Sequence, residues 1–336
     1  LVEVGNEDRN GLFRWILDCK KEIEGDPSLK DRLRSLPLYP TKNEPCSLKD
    51  ARLPTDFKDP LGIARTIDTT ALEGVEELLE LLDAAPLDFE TYCTEFLPKF
   101  FEDNRVEFDQ RRDLVRELTT HLQSIKDEEL IREALRPLLI VECAGSETQF
   151  LAGGQVYFPS NDVERVLGSG VPVAVELEST DTRKLFELLG VTDEPRLPDV
   201  AEAVKELSRK AMVKTTISQA GHTIDFLGSA WPKSRDDDRD YDWEDERESF
   251  KKMLAPLKEL SWLPRKGGNK WHTPDQLAAR IKENLFADQA IFLDLSKERQ
   301  KDAKSFLEWL GVRVEPKPEQ VVAQLSHCAE LGKRVD

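Results

Sequence analysis

The run Phe306, Leu307, Glu308, Trp309, Leu310, Gly311 and Val312 constrains this chain more than any other stretch, because its pattern returns elsewhere in the sequence. It reads as the end of an apolar helix closed by a glycine. A short proline-bearing connector follows, Glu315-Pro316-Lys317-Pro318-Glu319, and a new helix starts at Val321 and Val322. The same grammar occurs at Leu185, Phe186, Glu187, Leu188, Leu189, Gly190 and Val191, followed by Glu194-Pro195-Arg196-Leu197-Pro198-Asp199 and Val200. A degenerate third copy runs from Val75 through Leu78, Leu79, Leu81 and Leu82 to Asp83, then Pro86 and Phe89.

Upstream of each stop lies a Leu-x-x-Leu step beginning at Leu33, Leu135 or Leu257. From step to stop the separations are 50, 55 and 54 residues, which points to one unit used three times. Between step and stop come short extended segments broken by glycine and proline, such as Leu138 to Val141, Gln155 to Pro159 and Val171 to Leu177. The expected fold class is α+β: tandem repeats of a small sheet of short strands backed by helices, helix-rich overall. The expected organisation is a helical lead-in over 1–32, a first repeat with a helical spacer over 33–134, a second repeat with an acidic linker over 135–249, and a third repeat over 250–336. The linker is the run from Arg235 to Glu246. Lys214 to Ser218 reads as β-like, and Lys266-Gly267-Gly268-Asn269 as a hairpin turn that pairs Trp262 with Trp271.

Composition narrows the function classes. A net charge of −18, with 66 acidic against 48 basic residues, opposes nucleic-acid binding, since phosphate recognition begins with cations. No apolar run is long enough to span a bilayer, so no membrane partner is expected. The five cysteines are scattered at 19, 46, 93, 143 and 328, which argues for a reducing, cytoplasmic setting and against a zinc knuckle or disulfide framework. Leu1 in place of an initiator Met suggests a piece of a longer protein, and the first residues have no signal-peptide character.

The sequence holds no P-loop, no G-x-G-x-x-G and none of the common zinc motifs, so neither a cofactor nor a metal is expected. Two residues stand out as catalytic candidates: His222, a possible base, with Asp225 three positions on. A structural role for both is the plainer expectation, as no nucleophile stands at a recognisable spacing. Of the three tryptophans that could form a ligand platform, Trp309 is expected in the core, on the apolar face of its helix, and Trp262 and Trp271 are expected to pair across the hairpin. Glu176, Glu178 and Lys184 do not match the order of a nuclease strand, and the acidic run fails as a calcium loop because Tyr241 stands where a glycine is needed.

The order Leu-x-x-Leu, glycine turn with Trp271, Phe292-Leu293-Asp294-Leu295-Ser296, Phe306 to Val312, Pro318 and Val321 resembles the repeated middle regions of large sacsin-like and NO VEIN-like proteins. The first repeat, with Leu36-Pro37-Leu38-Tyr39-Pro40-Thr41, is similar, and the likeness runs over roughly residues 30 to 330. That resemblance implies a parent with a GHKL-type ATPase domain and a chaperone-like or defence-associated role. No GHKL nucleotide motif matches here, so no catalytic residue carries over. Two function classes stand open. One is a non-catalytic scaffold mediating protein–protein or interdomain contacts. The other is an unrecognised hydrolase-type enzyme with its site near His222 and Asp225.

Overall fold

The computed structural model describes residues 6–103, 106–145, 149–175, 179–232, 243–285 and 290–330. The chain is an α+β protein, rich in helix, whose described strands form three small sheets. In order its elements are α1 (Asn6–Asp18), α2 (Lys20–Gly25), α3 (Pro27–Ser35), β1 (Ala51–Arg52), β2 (Arg65–Thr66), α4 (Glu77–Leu81), α5 (Phe89–Thr91), a π turn (Tyr92–Phe96), α6 (Leu97–Asp103), α7 (Phe108–His121) and α8 (Glu128–Leu135). There follow β3 (Val141–Ala144), β4 (Gln149–Leu151), α9 (Asn161–Leu167), β5 (Val173–Ala174), α10 (Thr180–Leu188), α11 (Leu197–Arg209), α12 (Lys214–Ala230) and α13 (Trp243–Leu254). The last are β6 (Leu263–Pro264), β7 (Trp271–His272), α14 (Lys297–Asp302), α15 (Lys304–Leu310) and α16 (Pro318–Glu330).

The chain divides into two compact units. One comprises residues 1–156 and 174–191, the other 157–173 and 192–336. These bounds differ from the cuts after 32, 134 and 249 drawn on sequence, because each unit gathers segments that are discontinuous in the chain. In the first unit Phe13, Tyr39, Leu48, Leu72, Leu78 and Leu82 form a core cluster, with Phe13 stacked on Tyr39 at 5.7 Å. In the second, Val200, Val204, Ile224, Leu254, Trp262 and Phe306 belong to one larger cluster. Burying a side chain of this size stabilises by about 1.5–3 kcal/mol.

Three helices end in the same way. After α4, α10 and α15 the turn residues Asp83, Gly190 and Gly311 adopt φ of 47°, 93° and 112°. Their amides donate to Glu80, Glu187 and Glu308, and the next amides, of Ala84, Val191 and Val312, reach back to Leu79, Phe186 and Leu307. This pair of bonds is a Schellman ending, which satisfies carbonyls that the helix leaves open. The carbonyls two residues past each turn, of Ala85, Thr192 and Arg313, then accept from the amides of Leu53, Phe158 and Ala279 at 2.8, 2.9 and 2.9 Å. An antiparallel pairing precedes each of these acceptors' partners in the chain: Tyr39 with Cys46, Val141 with Leu151, and Leu263 with His272.

Several local expectations are corrected. Lys214–Ser218 is the first turn of α12, not a strand, because the Thr216 hydroxyl accepts from the Val213 amide at 2.9 Å and starts a helix. Gly153–Gln155 is a 3₁₀ turn, and Tyr157 alone makes bridges, to Val173 and Thr192. The 263–272 hairpin forms, but Trp271 sits opposite Pro264, not Trp262. Of the acidic run, Trp243 to Glu246 opens α13, while 235–242 lies outside the described residues.

Candidate functional site

His222 and Asp225 share one face of α12, a turn apart. Their Nδ1 and Oδ2 atoms stand 4.0 Å apart, beyond hydrogen-bond length. Asp225 is held instead by Arg299 of α14, Nε to Oδ2 3.3 Å. Gly221 makes that approach possible: a β-carbon there would lie 2.6 Å from Arg299 Nη1. Partial burial lowers the His222 pKa, and Arg299 adds to the shift, while Asp225 pulls the other way. Burial raises the Asp225 carboxyl, with Arg299 opposing. A general base works within about 2.6–3.2 Å of the proton it takes. Here the acid serves an ion pair between helices and leaves the imidazole without an orienting partner at that distance.

Two other histidines, His121 and His272, have local partners. His121 lies between Phe57 and Phe89, at 5.1 and 5.9 Å, and meets Glu117 at 3.1 Å. His272 Nδ1 is 3.1 Å from Gln276 Oε1. Trp262 is fully buried with its Nε1 donating to the Leu257 carbonyl, and Trp309 lies 5.2 Å from Trp231 under the Lys258 ammonium. Trp271 Nε1 donates to the Lys210 carbonyl at 2.8 Å. Glu176 and Glu178 lie outside the described residues, whereas Lys184 lies in α10 and pairs with Asp181 at 3.0 Å. Among the described residues no three metal-ligating side chains converge.

A concave basic surface in the first unit has no counterpart in the sequence reading. A cleft of about 520 Å³ is lined by Lys49, Arg52, Arg65 and Lys99 with Ile63, Phe96 and Phe100, against the acids Asp50 and Glu95. Arg52 lies over the Phe96 ring at 5.4 Å and bonds Glu95 at 2.8 Å, leaving its buried Nε without a partner. Lys49 is shared with Asp31. The π turn carries Glu95 and Phe96, both of which line this cleft. Such a cleft suits an anionic group beside apolar surface. Its cations come from separate segments, so no charged run announces it.

No protein-family model matches this chain, and neither a curated protein nor a solved structure is significantly similar to it. No described helix is long and apolar enough to cross a membrane.

Proposed function

We propose that the chain is a non-catalytic array of three modules that works through protein–protein or interdomain contacts in the cytoplasm. Its parent would be a larger protein of the sacsin-like or NO VEIN-like kind, with a GHKL-type ATPase elsewhere. The observation that carries this reading is the threefold set of Schellman endings at Asp83, Gly190 and Gly311, each preceded by an antiparallel pairing and followed by a parallel bridge. A repeated module whose faces stack leaves extended surface for partners. The ion pair that occupies Asp225 supports a structural role for the His222 patch.

Two assays test it together. The purified chain is expected to hydrolyse no ATP, and to bind the ATPase domain of its parent in isothermal titration calorimetry. Turnover that His222→Ala abolishes would replace this reading with the hydrolase.

A further inference from the structure

The basic cleft of the first unit holds two cations whose neighbouring acids are engaged elsewhere. Glu95 precedes Lys99 by four residues, the spacing at which an acid and a lysine pair along a helix. It bonds Arg52 instead, at 2.8 Å, and Lys99 is left without an acid among the described residues. Arg65 of β2 stands opposite Ala51 of β1, the residue after Asp50. The Asp50 carboxylate accepts from the Ser47 hydroxyl at 2.6 Å and forms no ion pair with Arg65. Lys49 is held by Asp31 at 2.9 Å. Arg65 and Lys99 are both exposed, and among the described residues their side chains have neither an ion pair nor a hydrogen bond. Acids outnumber bases 66 to 48 in this chain, so carboxylate partners are plentiful, yet these two cations of one concavity have none. The lining keeps one carboxylate without a cation, Asp50, against two cations without an acid, and is positive on balance.

The same cleft has apolar lining. Ile63 and Phe100 are half-buried there, and Phe96 carries the Arg52 guanidinium over its ring at 5.4 Å. The volume of about 520 Å³ falls within the roughly 300–1,000 Å³ of small-ligand sites. Arg65 offers a planar fork of donors and Lys99 a point charge, from two different elements, β2 and α6. One fork saturates a carboxylate. A phosphate monoester, with three acceptor oxygens and about −1.5 to −2 charge at neutral pH, engages a fork and an ammonium together.

We propose that this cleft binds an aryl phosphate, a phosphate monoester on a flat apolar group, with Arg65 and Lys99 on the phosphate and Ile63 and Phe100 against the ring. A concave wall of low dielectric strengthens the pull of the two cations on the anion. The site is independent of the three-module reading, and either stands if the other falls.

Isothermal titration calorimetry of the full chain at low salt tests this with phenyl phosphate, inorganic phosphate, benzoate and a tyrosine-phosphorylated peptide. Phenyl phosphate is expected to bind one to one, at least about ten-fold more tightly than inorganic phosphate, which lacks the ring, or benzoate, which lacks the second charge. Arg65→Gln and Lys99→Gln each weaken it at least about ten-fold. Lys126→Gln, exposed and outside the cleft, leaves it unchanged. Circular dichroism checks folding, and Arg65→Met or Lys99→Met replaces a glutamine variant that does not fold. A peptide that binds as tightly as phenyl phosphate assigns the ligand to a modified protein, and a peptide that is excluded assigns it to a free small molecule; both support the site. No binding at millimolar phenyl phosphate overturns the proposal. So does equal affinity for benzoate or inorganic phosphate, or an affinity that either cleft variant leaves unchanged.

Discussion

The β-carbon of Ala303 sits 2.6 Å from the point where a β-carbon on Gly228 would stand, and its α-carbon 2.9 Å from the same point. α12 therefore meets the junction of α14 and α15 at backbone distance, and only a glycine fits. Gly228→Ala is expected to cost about 1–3 kcal/mol through overpacking. Ala303→Gly in that background should return part of the loss, since it removes the nearer atom and leaves the α-carbon. Urea unfolding of the two single variants and the double variant gives the coupling energy directly.

The three Schellman turns make a graded series. Gly311→Val places a β-branched residue at φ 112° and should cost at least about 1 kcal/mol, read as a lower melting temperature. Asp83→Gly relieves the one described non-glycine residue at positive φ but gains unfolded-state entropy, so its net effect should stay within about 1 kcal/mol. Loss of its ion pair with Lys30 adds little, because the Asp83 side chain is 66% exposed. A Gly311→Val chain as stable as wild type would contradict the role given to this turn.

Acid should destabilise the chain through His222. Its folded pKa lies below the usual 6.5 because of burial and Arg299, with Arg165 adding and Asp225 and Asp162 opposing. The unfolded chain therefore takes up a proton first, and stability present above that pH is lost as pH falls through it. Asp225, whose carboxyl is raised by burial, acts at lower pH and in the opposite sense, as its folded form protonates first. Between about pH 7.5 and about pH 5.5, His222→Gln should flatten the fall in unfolding free energy measured by denaturant titration.

Thiol reactivity should divide the cysteines. Burial pushes the Cys143 thiol to about 11 with help from Glu142, and raises Cys46 and Cys93 as well. Cys19 and Cys328 are only half-buried. In dilute native protein a disulfide reagent such as DTNB is expected to titrate two thiols promptly and all five only in denaturant. Prompt reaction at Cys93 would mean that the π turn opens readily.

The turn at Gly311 was legible because a left-handed residue after an apolar helix has few chemical solutions, and glycine is the commonest. The strands were not legible at their true length: Ala51–Arg52 and Arg65–Thr66 are two residues each, too short to show alternation. Lys214 to Ser218 misled because Thr215, Thr216 and Ile217 are β-branched, yet a threonine hydroxyl near a helix start outweighs that preference. The proximity of His222 and Asp225 follows from helical spacing, whereas Arg299, far along the chain, comes to Asp225 only through packing over Gly221. The basic cleft was hidden for the same reason, with Arg52, Arg65 and Lys99 on three separate elements.

The chain passes from one compact unit to the other after Val156, Val173 and Val191, and this governs what can be cut from it. A fragment ending at Val156 would lack α10, and with it the buried Leu185 and Phe186 of the first unit. A fragment starting at Thr192 would lack Tyr157, whose hydroxyl bonds Asp199 and accepts from the Arg196 amide at 3.1 Å. No single scission point yields either unit whole, so limited proteolysis should give pieces that remain together until denatured.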